Sequence, residues 1–139
     1  MSVREWMSPD PVCVSPETTV AEAREMLASE GFRHLPVVTG ARLVGIISDR
    51  DVAIRDDALR SALRRNEVDQ LLDDDRPVEA VMTADPHVIG PDATIGDASR
   101  QLVSRRISAL PVVDDDGVLV GIISSVDCLL ASLKQAADV

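Results

Sequence analysis

Two short segments carry side chains that could do chemistry at matched spacing: GIISDRD at residues 45–51 and GIISSVD at residues 121–127. Each places a hydroxyl three residues ahead of a carboxylate, in what reads as a strand end entering a helix. There Ser48 and Ser124 can cap the helix and also hydrogen-bond a ribose or phosphate oxygen. Asp51 and Asp127 each offer two acceptor oxygens and no donor, which suits the two vicinal hydroxyls of a ribose. The helix N-terminus adds backbone N–H groups suited to an anion. Gly45 and Gly121 leave room for a ligand or a neighbouring backbone to approach closely. The same residues have a bland reading beside this one, because Ser and Asp at a helix start are N-cap residues before they are ligands.

Other chemistries find no carrier. His34, before one LPVV run, and His87, after Pro86, make no metal spacing. The DDD runs at 73–75 and 114–116 lack the alternating ligands of a calcium loop and read as solvated linker and turn. There is no Gly-rich phosphate loop and no nucleophile elbow. Cys13 and Cys128 stand far apart with no CxxC, so they read as buried small apolar residues in a reducing compartment. Cys13 sits in an extended stretch with no base placed beside it. No catalytic residue and no metal ligand is assigned, and no cofactor is required.

The elements that must position the two heptapeptides are themselves written twice. The stretch from Val3 to Val38 runs without a gap against Val78 to Val113. Met7 falls on Met82, Asp10-Pro11 on Asp85-Pro86, Pro16 on Pro91, Thr19 on Thr94, Ala23 on Ala98 and Leu27 on Leu102. Repetition at this scale decides the architecture. Each copy reads as strand, helix, strand, turn, strand, helix. Thr19 with Glu22 predicts a capping box, and Thr94 with Asp97 a weaker one. Gly31 is a natural helix end, and Arg106 at the matching place lacks that convenience. LPVV and LVGII are β-branched runs joined by Gly-containing turns, as in hairpins. Between the copies, residues 59–76 read as a charged connector that is helical in part, with Leu59, Ala62 and Leu63 on one face and a further short helix at 68–72. The reading is α+β: 1–58 as the first unit, 77–139 as the second, packed about a pseudo-twofold axis because neither has enough apolar surface to stand alone.

With 139 residues, 45% apolar residues and only Trp6 and Phe32 as aromatics, the chain can build one aliphatic core. The scarcity of aromatic faces argues against a single-stranded nucleic-acid platform. A net charge of −10 argues against any nucleic acid and against anionic membranes. The longest apolar stretch, VLVGII at 118–123, is far too short to span a bilayer. The opening MSVREWMSPD has no apolar h-region, and the chain reads as cytoplasmic.

The ordered series TVAEA…M, RHLPVV or ISALPVV, then GIIS-x-x-D, occurring twice, resembles the paired cystathionine β-synthase (CBS) motif, the Bateman module, in its stand-alone bacterial type. The resemblance covers nearly the whole chain. It implies a βαββα unit per motif and clefts between the two sheets that bind adenine-containing ligands such as AMP, ADP, ATP or S-adenosylmethionine. It also implies pairing into a homodimer. By resemblance, the base slot comes from the residues leading into LPVV and from extended backbone near Val14 and Ile89. Asp51 would work with Ile107, Ser108 and Ala109, and Asp127 with Phe32, Arg33 and His34. Thr19, Pro36, Ser48 and Arg50 complete the expected nucleotide-binding set on one side, and Thr94, Pro111 and Ser124 on the other.

Arg33, His34, Arg50, Arg105 and Arg106 then fall at or beside the expected cleft mouths, and the planar fork of arginine fits phosphate. Arg50 between two aspartates also has a lesser reading, a surface ion pair worth about 0–1 kcal/mol. The expected function is a regulatory module that senses an adenine nucleotide and transmits its occupancy to a partner protein. The alternative is a ligand-free dimerisation or scaffold module whose heptapeptides only cap helices. Because SDRD keeps an arginine where SSVD has Val126, the sites should be unequal, the one with Asp51 preferring the more phosphorylated ligand.

Overall fold

Each repeat opens with one short helical turn that ends where Met and a Met-x-x-Asp-Pro segment take the chain into extended backbone. In the computed structural model, which describes residues 1–138, these are α1 (Val3–Trp6) followed by β1 (Ser8–Pro9), and a 3-10 turn (Val78–Ala80) followed later by β4 (Thr83–Ala84). Val139, the end of the second unit as read from sequence, lies outside the described residues.

In the first repeat, α2 (Val20–Glu30) starts at Thr19, whose Oγ1 accepts the Glu22 N–H at 3.1 Å, and stops at Gly31 in the left-handed region. It buries Val20, Ala23 and Leu27, the i, i+3, i+7 face expected from sequence. β2 (His34–Thr39) and β3 (Arg42–Ser48) form a hairpin, and α3 (Asp49–Val52) is a single turn. α4 (Asp56–Arg65) and α5 (Val68–Leu72) build the connector. The second repeat follows as α6 (Ile95–Arg105), β5 (Ala109–Val113), β6 (Leu119–Ser124) and α7 (Ser125–Ala137). The first strand of each βαββα unit shrinks to one parallel bridge, Val14 with Val37 and Ile89 with Val112.

The sheets are not built by one repeat each. One is ordered β2-β3-β4 and the other β1-β6-β5, all antiparallel, so each repeat lends its opening strand to the sheet of the other. The cores follow the same exchange. Val3 is fully buried among Ile95, Ala98, Leu110, Val112 and Ile123, whereas Val78 is fully buried among Val14, Val20, Leu35, Val37 and Ile47. The hairpin turns also meet, with Leu119 N–H donating to the Ala41 carbonyl at 3.0 Å and Leu43 N–H to the Gly117 carbonyl at 3.2 Å. The result is an α+β molecule of two halves about a pseudo-twofold axis, with the sequence boundary at 58 falling inside α4.

Several local expectations change. Cys13 is exposed and only Cys128 is buried, because Val14 points inward and its neighbour along extended backbone must point outward. The stronger capping box is the second: Asp97 N–H donates to Thr94 Oγ1 at 3.0 Å and Thr94 N–H returns to Asp97 Oδ2 at 3.2 Å. At the heptapeptide glycines it is the neighbouring backbone, one of the two expected alternatives, that approaches closely. A Cβ on Gly45 would strike the Met82 side chain and lie 3.1 Å from the Thr83 carbonyl; on Gly121 it would meet Met7 and lie 3.0 Å from the Ser8 carbonyl. On α4 only Ala62 of the anticipated apolar face is buried, with Leu59 and Leu63 exposed.

The helix after the first heptapeptide stops after one turn, where the second runs on for 13 residues. Ala53 is extended, and Arg24 on α2 takes the freed end: its Nε donates to the Val52 carbonyl at 2.8 Å, while its guanidinium faces the Leu72 carbonyl and Asp74. Arg24 therefore ties α2, α3 and the connector together. Arg24→Ala is expected to lower stability by roughly 1–3 kcal/mol, as for loss of a charged donor from a partly buried carbonyl, measured by urea unfolding.

Two carboxylates near helix starts make stability fall in acid. The Arg76 side chain, bonded to Asp74 at 2.7 Å, holds the Asp74 carboxyl below its usual 3.8. The Thr94 backbone N–H, with Arg100 beside it, does the same for Asp97. A depressed folded pKa contributes stability that is present above the unfolded value and lost as pH falls through the folded one. The thermal midpoint is expected to fall below about pH 4, and Asp97→Asn to flatten part of that fall.

Candidate functional site

The end of β3 carries Ser48 to the mouth of a cleft, and the single turn of α3 presents Asp49, Arg50 and Asp51 along its rim. Asp51 Oδ2 accepts the Ser48 N–H at 2.7 Å, which fixes the carboxylate and leaves Oδ1 without a partner among the described residues. The floor is Ile46 and Ile47 of β3. Facing them across the pseudo-twofold, the chain leaving α6 brings Arg106, Ile107, Ser108 and Ala109, with Pro111 of β5 behind. The cleft encloses about 660 Å³, within the range of small-molecule sites.

Arg33 and His34, expected beside Asp127, line this cleft as well. They do so because the segments leading into β2 and β5 meet near the axis: His34 Nε2 lies 3.3 Å from Ser108 Oγ. Each of these segments is pinned to the helix start of its own repeat, Asp49 N–H to the Arg33 carbonyl and Ser125 N–H to the Ser108 carbonyl, both at 2.9 Å. Burial pushes the His34 imidazole below its usual value. Asp49 and Asp51 pull the other way, and Arg33 adds to the lowering. The lowering favours the neutral imidazole, which can donate at one ring nitrogen and accept at the other.

Of the expected residues, the cleft gathers Arg33, His34, Ser48, Arg50, Asp51, Ile107, Ser108, Ala109 and Pro111. Val14 and Ile89 sit beside the hairpins as buried bridges, Pro36 is fully buried in β2, and Thr19 and Thr94 cap α2 and α6. By the repeat, Phe32, Ser124 and Asp127 are the mates of Ile107, Ser48 and Asp51 on the pseudo-symmetric face. There Asp127 Oδ2 takes both the N–H and the hydroxyl of Ser124, at 2.9 and 3.0 Å, and again leaves Oδ1 without a partner among the described residues.

Thr83, Pro86 and His87 also line the cleft, and the sequence reading passed over them. They arrive with β4, which crosses over to pair Ile46 with Thr83. The signal was present: the repeated Asp-Pro after each methionine marks the segments that cross. His87 Nε2 stands 3.1 Å from Arg105 Nη1.

Charge is distributed unequally between the two faces. Where the cleft has Arg50, His87 and Arg106, the repeat places Val126, Val12 and Gly31 on the other side. Val126 and Val12 are exposed there, as is Phe32. Among the described residues no helix is long and apolar enough to cross a membrane.

Known proteins share this arrangement. The family described as CBS domain matches residues 3–58 and 78–134. Inosine-5'-monophosphate dehydrogenase of Korarchaeum cryptofilum is 35% identical over 118 residues, 85% of this chain; the chain spans only 21% of that enzyme. The structure of CBSX2 from Arabidopsis thaliana in complex with AMP superposes with a TM-score of 0.78 at 32% identity, covering 97% of this chain and 98% of that one. The CBS domain pair of protein MJ0100, in complex with 5'-methylthioadenosine and S-adenosyl-L-methionine, gives 0.74 at 26% identity over 99% and 98%.

Proposed function

The chain belongs to the CBS-domain family, as a tandem pair of CBS domains, and from that premise we propose that it is a regulatory module whose Asp51 cleft binds an adenine nucleotide. One observation carries the reading: the cleft joins the ribose-suited Asp51 of one repeat to Ile107, Ser108 and Ala109 of the other. A ligand held by both halves stabilises one relative arrangement of them over others, and a partner that touches both can read the difference. The AMP and S-adenosylmethionine complexes of similar CBS pairs support an adenosyl ligand. Asp51 takes the ribose hydroxyls, His34 and Ser108 offer neutral hydrogen bonds beside them, and the arginines meet phosphate. That the module binds and does not catalyse is supported by its likeness to CBS pairs solved with bound AMP and S-adenosyl-L-methionine. The module acts in the cytoplasm and senses AMP, ADP or ATP.

The scaffold reading has its own support. Val126, Leu129, Leu130 and Leu133 make an exposed apolar stripe along α7, at 50–61% exposure. Such a stripe suits a homodimer seam, and both heptapeptide aspartates already serve as caps. Homodimerisation and ligand binding coexist in the proposal; a scaffold without a ligand is its rival. Thermal shift with adenosine, AMP, ADP, ATP and S-adenosylmethionine at millimolar concentration, with GTP as control, separates them. A ligand selective for the folded state must raise the melting temperature. A rise with adenine ligands supports the sensor, and a flat panel leaves the scaffold.

A further inference from the structure

Arg106 occupies a backbone conformation that does not suit it. It ends α6 with φ 54° and ψ 45°, in the left-handed region, where the first repeat has Gly31 at φ 70°. Glycine adopts this conformation without penalty, and a side chain with a Cβ does not. The carbonyls of Leu102 and Val103 accept the Arg106 N–H, so the helix end is closed by the backbone alone and asks nothing of the side chain. A disfavoured residue kept at a cleft wall points to work for its side chain.

That side chain lies with Arg33 and Arg50 along the same cleft. Six other arginines, Arg4, Arg24, Arg55, Arg65, Arg76 and Arg100, are in ion pairs. Among the described residues, none of the three cleft arginines has a carboxylate within 4 Å. Arg42, Arg60, Arg64 and Arg105 also lack an ion pair among the described residues, but only Arg33, Arg50 and Arg106 gather around one opening, offset there by Asp49 and Asp51. Arg33 and Arg50 come from the first repeat and Arg106 from the second, so an anion they share must reach across the axis. The combined charge of three guanidinium groups at one opening matches a chain of phosphates better than a single one. The matching face, with Gly31 and Val126, has no equivalent of Arg106 or Arg50.

We infer that the Asp51 cleft is a nucleoside polyphosphate site, and that Arg106 is the residue that makes it favour the polyphosphate over the monophosphate by holding the distal phosphates from the second repeat. This rests on the reading of the cleft as an adenine-nucleotide site.

Arg106→Gly tests it, because glycine relieves the backbone and removes only the guanidinium. The variant is expected to melt no lower than the wild type. Calorimetry at low salt with adenosine, AMP and ATP should show wild-type affinity rising with phosphate number. Arg106→Gly should lose roughly tenfold or more for ATP, as for one charged fork on phosphate, with adenosine unchanged within about twofold. Arg64→Ala on α4 removes the same charge outside the cleft lining and should leave all three affinities in place. Unchanged ATP binding in Arg106→Gly overturns the inference, as does equal weakening by Arg64→Ala. Wild-type protein that binds adenosine, AMP and ATP equally overturns it while the adenine-site reading stands. Absence of binding by all three ligands removes both.

Discussion

Asp51→Asn lowers affinity for an adenine nucleotide by about 10–100-fold while the fold stays intact; that is the expected result of isothermal titration with the purified variant. The substitution separates the two roles of this residue. As the N3 partner of the capping box, Asp51 accepts the Ser48 N–H through Oδ2, a bond that the Oδ1 of an Asn can also accept. The apo melting temperature should therefore hardly move. As a ligand, the carboxylate offers two charged acceptors to a pair of hydroxyls, and the amide offers one neutral acceptor and a misplaced donor. The loss expected is that of charge-assisted hydrogen bonds, roughly 1.5–3 kcal/mol. A 2'-deoxynucleotide provides a second reading, since it has already lost one partner of Asp51 and should be less sensitive to the change. If Asp51→Asn binds as tightly as wild type, the aspartate is a cap and nothing more. Asp127→Asn should spare binding of a polyphosphate at the Asp51 cleft, because it lies on the opposite face.

Val3→Ala is expected to cost about 2–3 kcal/mol, near the full value of a buried valine, and to weaken the second repeat, not the first. Val3 is fully buried against Leu110, Val112 and Ile123, and α1 continues into β1, which pairs with β6. Its repeat mate Val78 is fully buried on the other side, among Val14, Leu35 and Ile47. Val78→Ala should therefore cost a similar amount and weaken the first repeat. Hydrogen exchange distinguishes this crossed pattern from an ordinary one. With Val3→Ala, protection should fall first in β5 and β6; with Val78→Ala, first in β2 and β3. Protection lost from the repeat that carries the mutation would contradict the exchange of segments.

The sequence carried the periodic and paired features well. Duplicated helix faces such as Val20, Ala23 and Leu27, and β-branched runs such as LPVV, dictate local structure through burial, so α2, α6 and both hairpins were legible. The crossing of β1 and β4 was not, because a two-residue strand has no periodicity to read and its partner lies in the other repeat. The same blindness hid Thr83, Pro86 and His87 from the candidate site. The sequence shows which residues precede each β-run but not that both runs start near the axis, where Arg33 and His34 line the Asp51 cleft. Cys13 was misjudged by residue type alone; alternation from Val14 turns it outward. The end of α6 was seen as inconvenient for Arg106, yet the structure keeps the left-handed cap regardless, and that persistence is informative.

The crossed strands have a consequence for how such a molecule can come apart. A polypeptide holding one repeat would have a sheet lacking its third strand, a core lacking its valine, and a spare strand that fits nothing of its own. A second copy of that polypeptide supplies both vacancies at once. A half-length fragment is therefore expected to pair with its own copy, as the two repeats pair within the tandem chain on either side of the helical bridge of α4 and α5.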